Sequence, residues 1–306
     1  MQISFSIIYN LNKQHMKTIQ YIIIIIALLL TGQGYGQLNP MASTYFQNGY
    51  LANPAMAGTG EGWEISGAYK AQWTAIDGAP TMQVLTATYS VPGKKVGLGI
   101  NVYNESAGVI RRTSIKGTYA YHLPLNDYKS FLDFGLSSSI MNEWIDFNKV
   151  IGEPGDGGLT QFNIRPLYIE GDFGMSFRNE RLTLQGSSNV KAMLNKDVKT
   201  NVIDRALFTG SVSYTFFTQA LRIDPKIMYR GVANYKDILD IGAQVRCYND
   251  KLMLSGLYHS TNALTFGVGT FYQNQLRILC FYTTGTSDLH KYSNGEFEIA
   301  IQYQFK

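Results

Sequence analysis

Leu239-Asp240-Ile241-Gly242-Ala243-Gln244-Val245-Arg246 decides the fold. Leu239, Ile241, Ala243 and Val245 fall in one parity, and Asp240, Gly242, Gln244 and Arg246 in the other. Side chains of a strand point to opposite faces with period two, so one face suits an apolar medium and the other a polar one. The pattern repeats outward along the chain. Val96, Leu98, Ile100 and Val102 alternate with Gly97, Gly99, Asn101 and Tyr103. Leu167, Ile169, Phe173, Met175 and Phe177 share one parity; Tyr168, Glu170, Asp172, Ser176 and Arg178 share the other. A half-buried sheet in a soluble protein has the same period. The number of segments, about fourteen, is an even count within the range of transmembrane barrels.

The connections argue the same way. Every second link is a tight turn: Pro92-Gly93-Lys94, Asn126-Asp127, Asn179-Glu180, Asn249-Asp250 and Asn274-Gln275. The others are usually longer: Ala75 to Pro80, Asn142 to Arg165, Ala192 to Ala206 and Thr286 to Gly295. Short turns on one side and long loops on the other mark an outer-membrane barrel. The last segment, Phe297, Ile299, Ile301, Tyr303 and Phe305 against Glu298, Ala300, Gln302 and Gln304, would be an aggregation-prone edge if left open. Pairing it with the first, Trp63 to Trp73, closes the sheet. The expected fold is all-β, a transmembrane antiparallel β-barrel of about 14 strands over residues 63–306. A plug-like segment, residues 37–62, precedes it.

Residues 1–36 read as an export signal. Lys13 and Lys17 carry positive charge, Ile19 to Leu30 is apolar, and Gly34-Tyr35-Gly36 places small residues before Gln37. The apolar run falls short of the roughly 20 residues of a membrane-crossing helix. Met16-Lys17 is a better start than Met1. Without Lys13 and Lys17, the 26 basic residues become 24, against 22 acidic ones. There is no basic stripe for nucleic acid. The 21 Tyr and 16 Phe, many near segment ends, suit interfacial girdles in contact with outer-membrane lipid. Cys247 and Cys280 fall on strands three apart, roughly 14 Å at about 4.8 Å per strand. That separation is beyond disulfide reach.

Catalytic motifs are missing. His15, His122, His259 and His290 show no metal-ligand spacing, and there is no Gly-x-Ser-x-Gly elbow or Walker loop. His290 beside Asp288 is the one acid–base candidate, and a solvated loop histidine is the plainer reading. Glu143, Asp146, Glu153 and Asp156, with intervening glycines, suggest a Ca²⁺ wrap, but the spacing is not an EF-hand and turn chemistry accounts for it. No enzyme activity, metal or cofactor is expected. Lys70, Arg112, Lys116, Asp133, Arg222, Asp224, Lys226, Asp240, Arg246 and Arg277 fall in the lumen-facing parity. Fourteen strands enclose a lumen on the order of 28 Å across, too wide for side chains alone. These charges pair across it, line a pore, or hold a plug.

The N-terminal blocks carry a resemblance. Tyr45-Phe46-Gln47-Asn48, Asn53-Pro54-Ala55-Met56-Ala57-Gly58, Gln72-Trp73 and Gly78-Ala79-Pro80-Thr81 resemble the PorP/SprF family of type IX secretion system membrane proteins. Gly99 to Glu105, Tyr119 to Leu123 and Glu296 to Phe305 fit later strands; many members have Asp where Glu105 stands. The resemblance implies an outer-membrane protein of a Bacteroidetes-type bacterium. It implies type IX secretion components as partners, and a secreted adhesin, such as one of gliding motility, whose type IX C-terminal domain docks on the barrel. Gln72 is expected to satisfy polar groups of the plug, and Trp73 to join the outer girdle. The alternative is a fatty-acid-transporter-like barrel, which shares fourteen strands, a hatch and an Asn-Pro-Ala motif and would need an apolar lumen pocket.

Overall fold

The computed structural model describes residues 43–74, 77–125, 129–150, 163, 167–190, 206–232, 237–273, 275–284 and 294–305. The signal segment, His290 with Asp288, and Glu153 with Asp156 lie outside them. The strands are β1 (Trp63–Gln72), β2 (Thr81–Ser90), β3 (Val96–Ala107), β4 (Ile110–Leu125), β5 (Ser130–Ile145), β6 (Tyr168–Asn179), β7 (Leu182–Asn189) and β8 (Ala206–Tyr214). They continue with β9 (Phe216–Phe217), β10 (Leu221–Val232), β11 (Ile238–Cys247), β12 (Leu252–His259), β13 (Ala263–Tyr272), β14 (Leu276–Thr283) and β15 (Glu296–Gln304).

All pairings are antiparallel, and apart from β8 and β9 every strand pairs with the next in the chain. The two-residue β9 and the longer β8 both pair with β10, at Arg222↔Phe217 and Lys226↔Ser213, so together they form one span interrupted at Thr215. The barrel therefore has fourteen spans. It closes where β15 pairs with β1, from Glu64↔Gln304 to Gln72↔Glu296. Closure removes both edges, the hazard that the terminal segment poses alone.

The two faces separate as the alternation predicts. Leu85, Leu136, Ile140 and Ile169 are more than half exposed and face outward, whereas Asp133, Asp240, Thr265 and His259 are fully buried on the inner face. Aromatic girdles mark both ends. Trp63 stacks on Tyr89 at 4.6 Å and Tyr303 meets Phe305 edge-on at 4.7 Å near the turns; Tyr282 packs on Phe297 at 5.0 Å near the loops. Such rings suit the membrane interface, with an apolar body and a polar tip.

β4 and β5 are the longest strands, 16 residues each. Their length corrects one expectation: Asn142 to Ile145 belong to β5, and the loop begins only after them. Glu143 and Asp146 are consequently not free loop carboxylates; they lie against Arg112 at 3.8 Å and Arg111 at 3.7 Å.

Candidate functional site: the plugged lumen

Residues 43 to 62 enter the lumen. They form two single-turn helices, α1 (Thr44–Gln47) and α2 (Gly49–Ala52), then a 3-10 turn at Pro54–Met56. Asparagines make these short turns possible. The Asn48 side chain accepts from the Tyr50 N–H at 3.2 Å and caps α2. Asn53 accepts from the Ala55 N–H at 2.9 Å and caps the 3-10 turn, with Pro54 at its start. Capping satisfies amides that so short a helix leaves orphaned, and proline suits the first position because its missing N–H is not needed there. Each asparagine also ties the plug to the wall: Asn53 Nδ2 donates to the Met175 carbonyl at 3.0 Å and Asn48 Nδ2 to Thr86 at 3.1 Å.

The segment descends from the loop end to the turn end. Near the loops, Thr44 donates to Glu298, which stands opposite Lys70, and the Tyr45 hydroxyl reaches Asp240 at 3.4 Å under the Arg230 guanidinium. At the turns, Gly58 lies against the Tyr89 carbonyl and Gly97 with φ of 66°. Between them runs a row of small residues directly opposite one another across five pairings: Gly97↔Ala120, Ala120↔Gly135, Gly135↔Gly174, Gly174↔Ser187 and Ser187↔Thr209. A Cβ on Gly135 would collide with Pro54 and Ala55, one on Gly174 with Asn53, and one on Gly97 with the Ala57 carbonyl. Ser187 and Thr209 donate to the Ala52 carbonyl at 2.7 and 3.2 Å. The row is a track for the plug backbone, glycine where it touches and hydroxyl where it needs a donor.

Two histidine–aspartate–arginine clusters hold the ends. Asp133 accepts from His122 Nδ1 at 2.8 Å, Ser176 at 2.8 Å and Arg178 at 2.9 Å, while His122 Nε2 lies 3.0 Å from the Ala57 carbonyl. Asp240 accepts from His259 Nδ1 at 2.6 Å and from Arg230 Nη2 at 2.7 Å, beside Tyr45. Lys226 donates to the Phe46 carbonyl at 3.0 Å with its ammonium 4.8 Å from that ring. Tyr50 shares a 2.9 Å hydrogen bond with Thr118.

Above the plug, toward the loops, lies a cavity of about 290 Å³ floored by Tyr50 and Leu51 and walled by Glu105, Arg112, Lys116 and Asp172. Arg112 pairs with Glu105 at 2.7 Å and Lys116 with Asp172. Val84, Tyr103, Met141, Phe208 and Met228 also line it, so the paired charges stand in a largely apolar enclosure.

The residues singled out from sequence fall in two places. Tyr45, Asn48, Asn53, Pro54, Ala55 and Gly58 form the plug contacts. Gly78, Ala79, Pro80 and Thr81 lie at the loop end, where the Gly78 carbonyl accepts from Gly108 N–H at 2.8 Å and the Pro80 carbonyl from Gln72 N–H at 2.9 Å. That block braces the first outer loop against the β3–β4 turn and, among the described residues, makes no bond to the plug. The Gln72 side chain departs from its expected role: among the described residues it donates to Glu296 at 2.7 Å, beside the buried Lys70–Glu296 pair at 2.8 Å, and makes no bond to the plug. Trp73 ends β1 with φ of 49° and its N–H on the Gly295 carbonyl. Asp133, Lys226 and Asp240 hold the plug, Lys70 stands opposite Glu298, which receives Thr44, and Arg112 and Lys116 wall the cavity. Arg222, Asp224, Arg246 and Arg277 gather at the turn end.

His122 and His259 are site residues that sequence reasoning misses. Their spacing speaks only against metal ligation and catalysis, and says nothing of a role as lumen-facing hydrogen-bond bridges. Their parity is readable; the partners Asp133 and Asp240 depend on register. Among the described residues no group of His, Cys, Asp and Glu has metal-binding geometry.

A closed fourteen-span antiparallel barrel, apolar outside, girdled at both ends and filled from within by its own N-terminal segment, is an outer-membrane β-barrel. The chain belongs to the family described as type IX secretion system membrane protein PorP/SprF, whose match covers residues 35–303. No curated protein matches it in sequence. Solved structures share its architecture at low identity. The P. putida toluene transporter TodX is 10% identical with a TM-score of 0.52, over 89% of this chain and 99% of that one. The Ralstonia pickettii toluene transporter TbuX is 12% identical with a TM-score of 0.49, over 90% and 99%. The Acinetobacter baumannii outer membrane protein Omp33 is 9% identical with a TM-score of 0.46, over 80% and 98%.

Proposed function

We propose that this barrel is a non-catalytic scaffold of type IX secretion that supports secretion or surface anchoring of one large partner. The partner would be an adhesin carrying a type IX C-terminal domain, of the kind used in gliding motility in Bacteroidetes-type bacteria. The observation that carries the reading is the occupied lumen. The plug is bonded to the wall at both ends and along its length, so the loop face and the cavity above the plug are the surfaces offered to a partner. The family's place in type IX secretion supplies the pathway.

The second reading is a transporter of hydrophobic ligands. The toluene transporters share only the fold with this chain. The observation that favours this reading is the cavity above the plug, where Val84, Met141, Phe208 and Met228 line the space beside the paired charges Glu105–Arg112 and Lys116–Asp172. Deleting the gene and comparing secreted and surface-bound proteomes with the parent tests both. Loss of one large surface protein, with general type IX secretion preserved, supports the scaffold. An unchanged surface with reduced uptake of hydrophobic nutrients supports the transporter. Exchange of the long outer loop as a specificity element should begin after Lys149, because the residues before it include the end of β5.

A further inference from the structure

Elsewhere in the lumen cations are matched by carboxylates: Lys70 with Glu296, Arg112 with Glu105, Lys116 with Asp172, Arg178 with Asp133, Arg230 with Asp240. The turn end of β10, β11 and β14 breaks that pattern. Arg222 and Arg246 stand directly opposite one another on paired strands. Like charges in that position destabilise a sheet. Arg277 is close enough to act on Arg246, and both guanidiniums face the same Phe271 ring, at 5.3 and 5.2 Å. Lys226 lies further along the same inner face of β10.

Against these four cations stand Asp224 and, from the β11–β12 turn, Asp250. Asp224 reaches Arg222 at 3.3 Å and Arg246 only at 3.8 Å, and its Oδ2 makes no hydrogen bond. Asp250 acts on Arg246 without a salt bridge among the described residues. The other groups that position the guanidiniums are neutral. Gln302 accepts from Arg277 at 3.2 Å, and Gln244 stands between Arg246 and Gln47 of the plug, where turning its amide so that the oxygen faces Arg246 lets it accept from Nη2 at 2.9 Å and donate to Gln47. Phe217 lies under Arg222 at 5.4 Å. Arg222 keeps 35% of its side chain exposed and Arg246 18%, so the cluster is open to solutes. Arginines held by amides and ring faces keep spare N–H donors in a fixed fork, the geometry that bridges oxyanions.

We propose that Arg222, Arg246 and Arg277 form a binding site for a phosphate-class oxyanion at the turn end of the lumen. The anion relieves the repulsion of the opposed arginines and takes up donors that the two carboxylates leave over. The source is a free phosphate or the phosphomonoester of a lipid headgroup. The proposal stands apart from the secretion reading, since it concerns binding to the purified protein.

The test is calorimetric titration of the full chain in detergent with inorganic phosphate, and separately with dihexanoyl phosphatidic acid, against chloride at matched ionic strength. The proposal expects saturable binding of at least one. Binding of phosphate identifies a free anion as ligand, and binding of the lipid alone identifies a headgroup. Arg246→Gln and Arg277→Gln should each weaken it about tenfold, the loss of a charge-assisted hydrogen bond. Asp224→Asn should tighten it several-fold, a gain that misfolding cannot imitate. Arg111→Gln, which pairs with Asp146 at the loop end, should leave it unchanged. Absence of saturable binding by both probes, or equal binding by Arg246→Gln and wild type, would overturn the site.

Discussion

The two walls of the barrel hold the same plug by different means. Along β3 to β6 the contact is mainly close packing on glycine: Pro54, Ala55 and Ala57 lie on Gly135, Gly174 and Gly97, with Asn53 on the Met175 carbonyl, Tyr50 on Thr118 and His122 on the Ala57 carbonyl as side-chain ties. Along β10, β11 and β15 the contact is made by charged side chains of the wall: Glu298 on Thr44, Arg230 over Tyr45 with Asp240 beside it, Lys226 on the Phe46 carbonyl. One wall fits mainly by shape, with the His122–Asp133–Arg178 cluster at its turn end, and the other by charge. A shape fit fails when atoms are added, and a charge fit fails when a partner is removed.

The charged wall should show the largest effect. Asp240→Ala leaves Arg230 and His259 buried without their carboxylate, and breaking a buried pair from one side costs about 3–5 kcal/mol. Urea unfolding followed by the heat-modifiable mobility of the folded barrel measures it. A loss below about 1 kcal/mol would mean that water reaches the cluster and that Asp240 is no clamp.

Next comes the membrane face. Ile241→Arg puts a charge into lipid at a cost of about 2–4 kcal/mol near the midplane. Gln244→Arg, three residues on and inward, should spare the barrel but disturb the plug, because it breaks the link to Gln47 and adds a cation to the turn-end cluster. Equal loss of folded barrel in both would break the division of faces.

The shape wall is probed by Gly135→Leu. The side chain cannot coexist with Pro54 and Ala55. Overpacking of this kind costs about 1–3 kcal/mol, and here displacement of the plug relieves it. The expected result is a folded barrel whose plug is newly sensitive to protease. Gly117→Leu, with open space around its Cβ, is the matched control and should be silent. The smallest effect belongs to Ser187→Ala, about 1 kcal/mol or less, because Thr209 still donates to the Ala52 carbonyl.

The contrast also explains what the sequence made legible. Period-two alternation needs no partner, so the span count, the inner and outer faces and closure of Glu296–Gln304 on Trp63–Gln72 could be read directly. The site depends on register, which the sequence does not state. The track became visible only once Gly97, Ala120, Gly135 and Gly174 stood opposite one another, although they come from four strands and are separated by up to 77 positions. The histidine clusters were hidden for the same reason. His122 and Asp133 are 11 residues apart and His259 and Asp240 are 19 apart, spacings set by hairpin geometry and unlike any local motif. The Asn-Pro-Ala block was conspicuous, but its double duty as helix cap and wall tie needed Met175 in place.

Single-channel conductance in planar bilayers tests the central claim, that the plug is a fixed part of the wall and not an incidental occupant of a pore. Wild-type protein should insert without steady conductance. A variant lacking residues 43–58 should insert equally well and conduct steadily, with Gly135→Leu opening intermittently between them. Steady conductance by the wild type equal to that of the deletion would contradict the account.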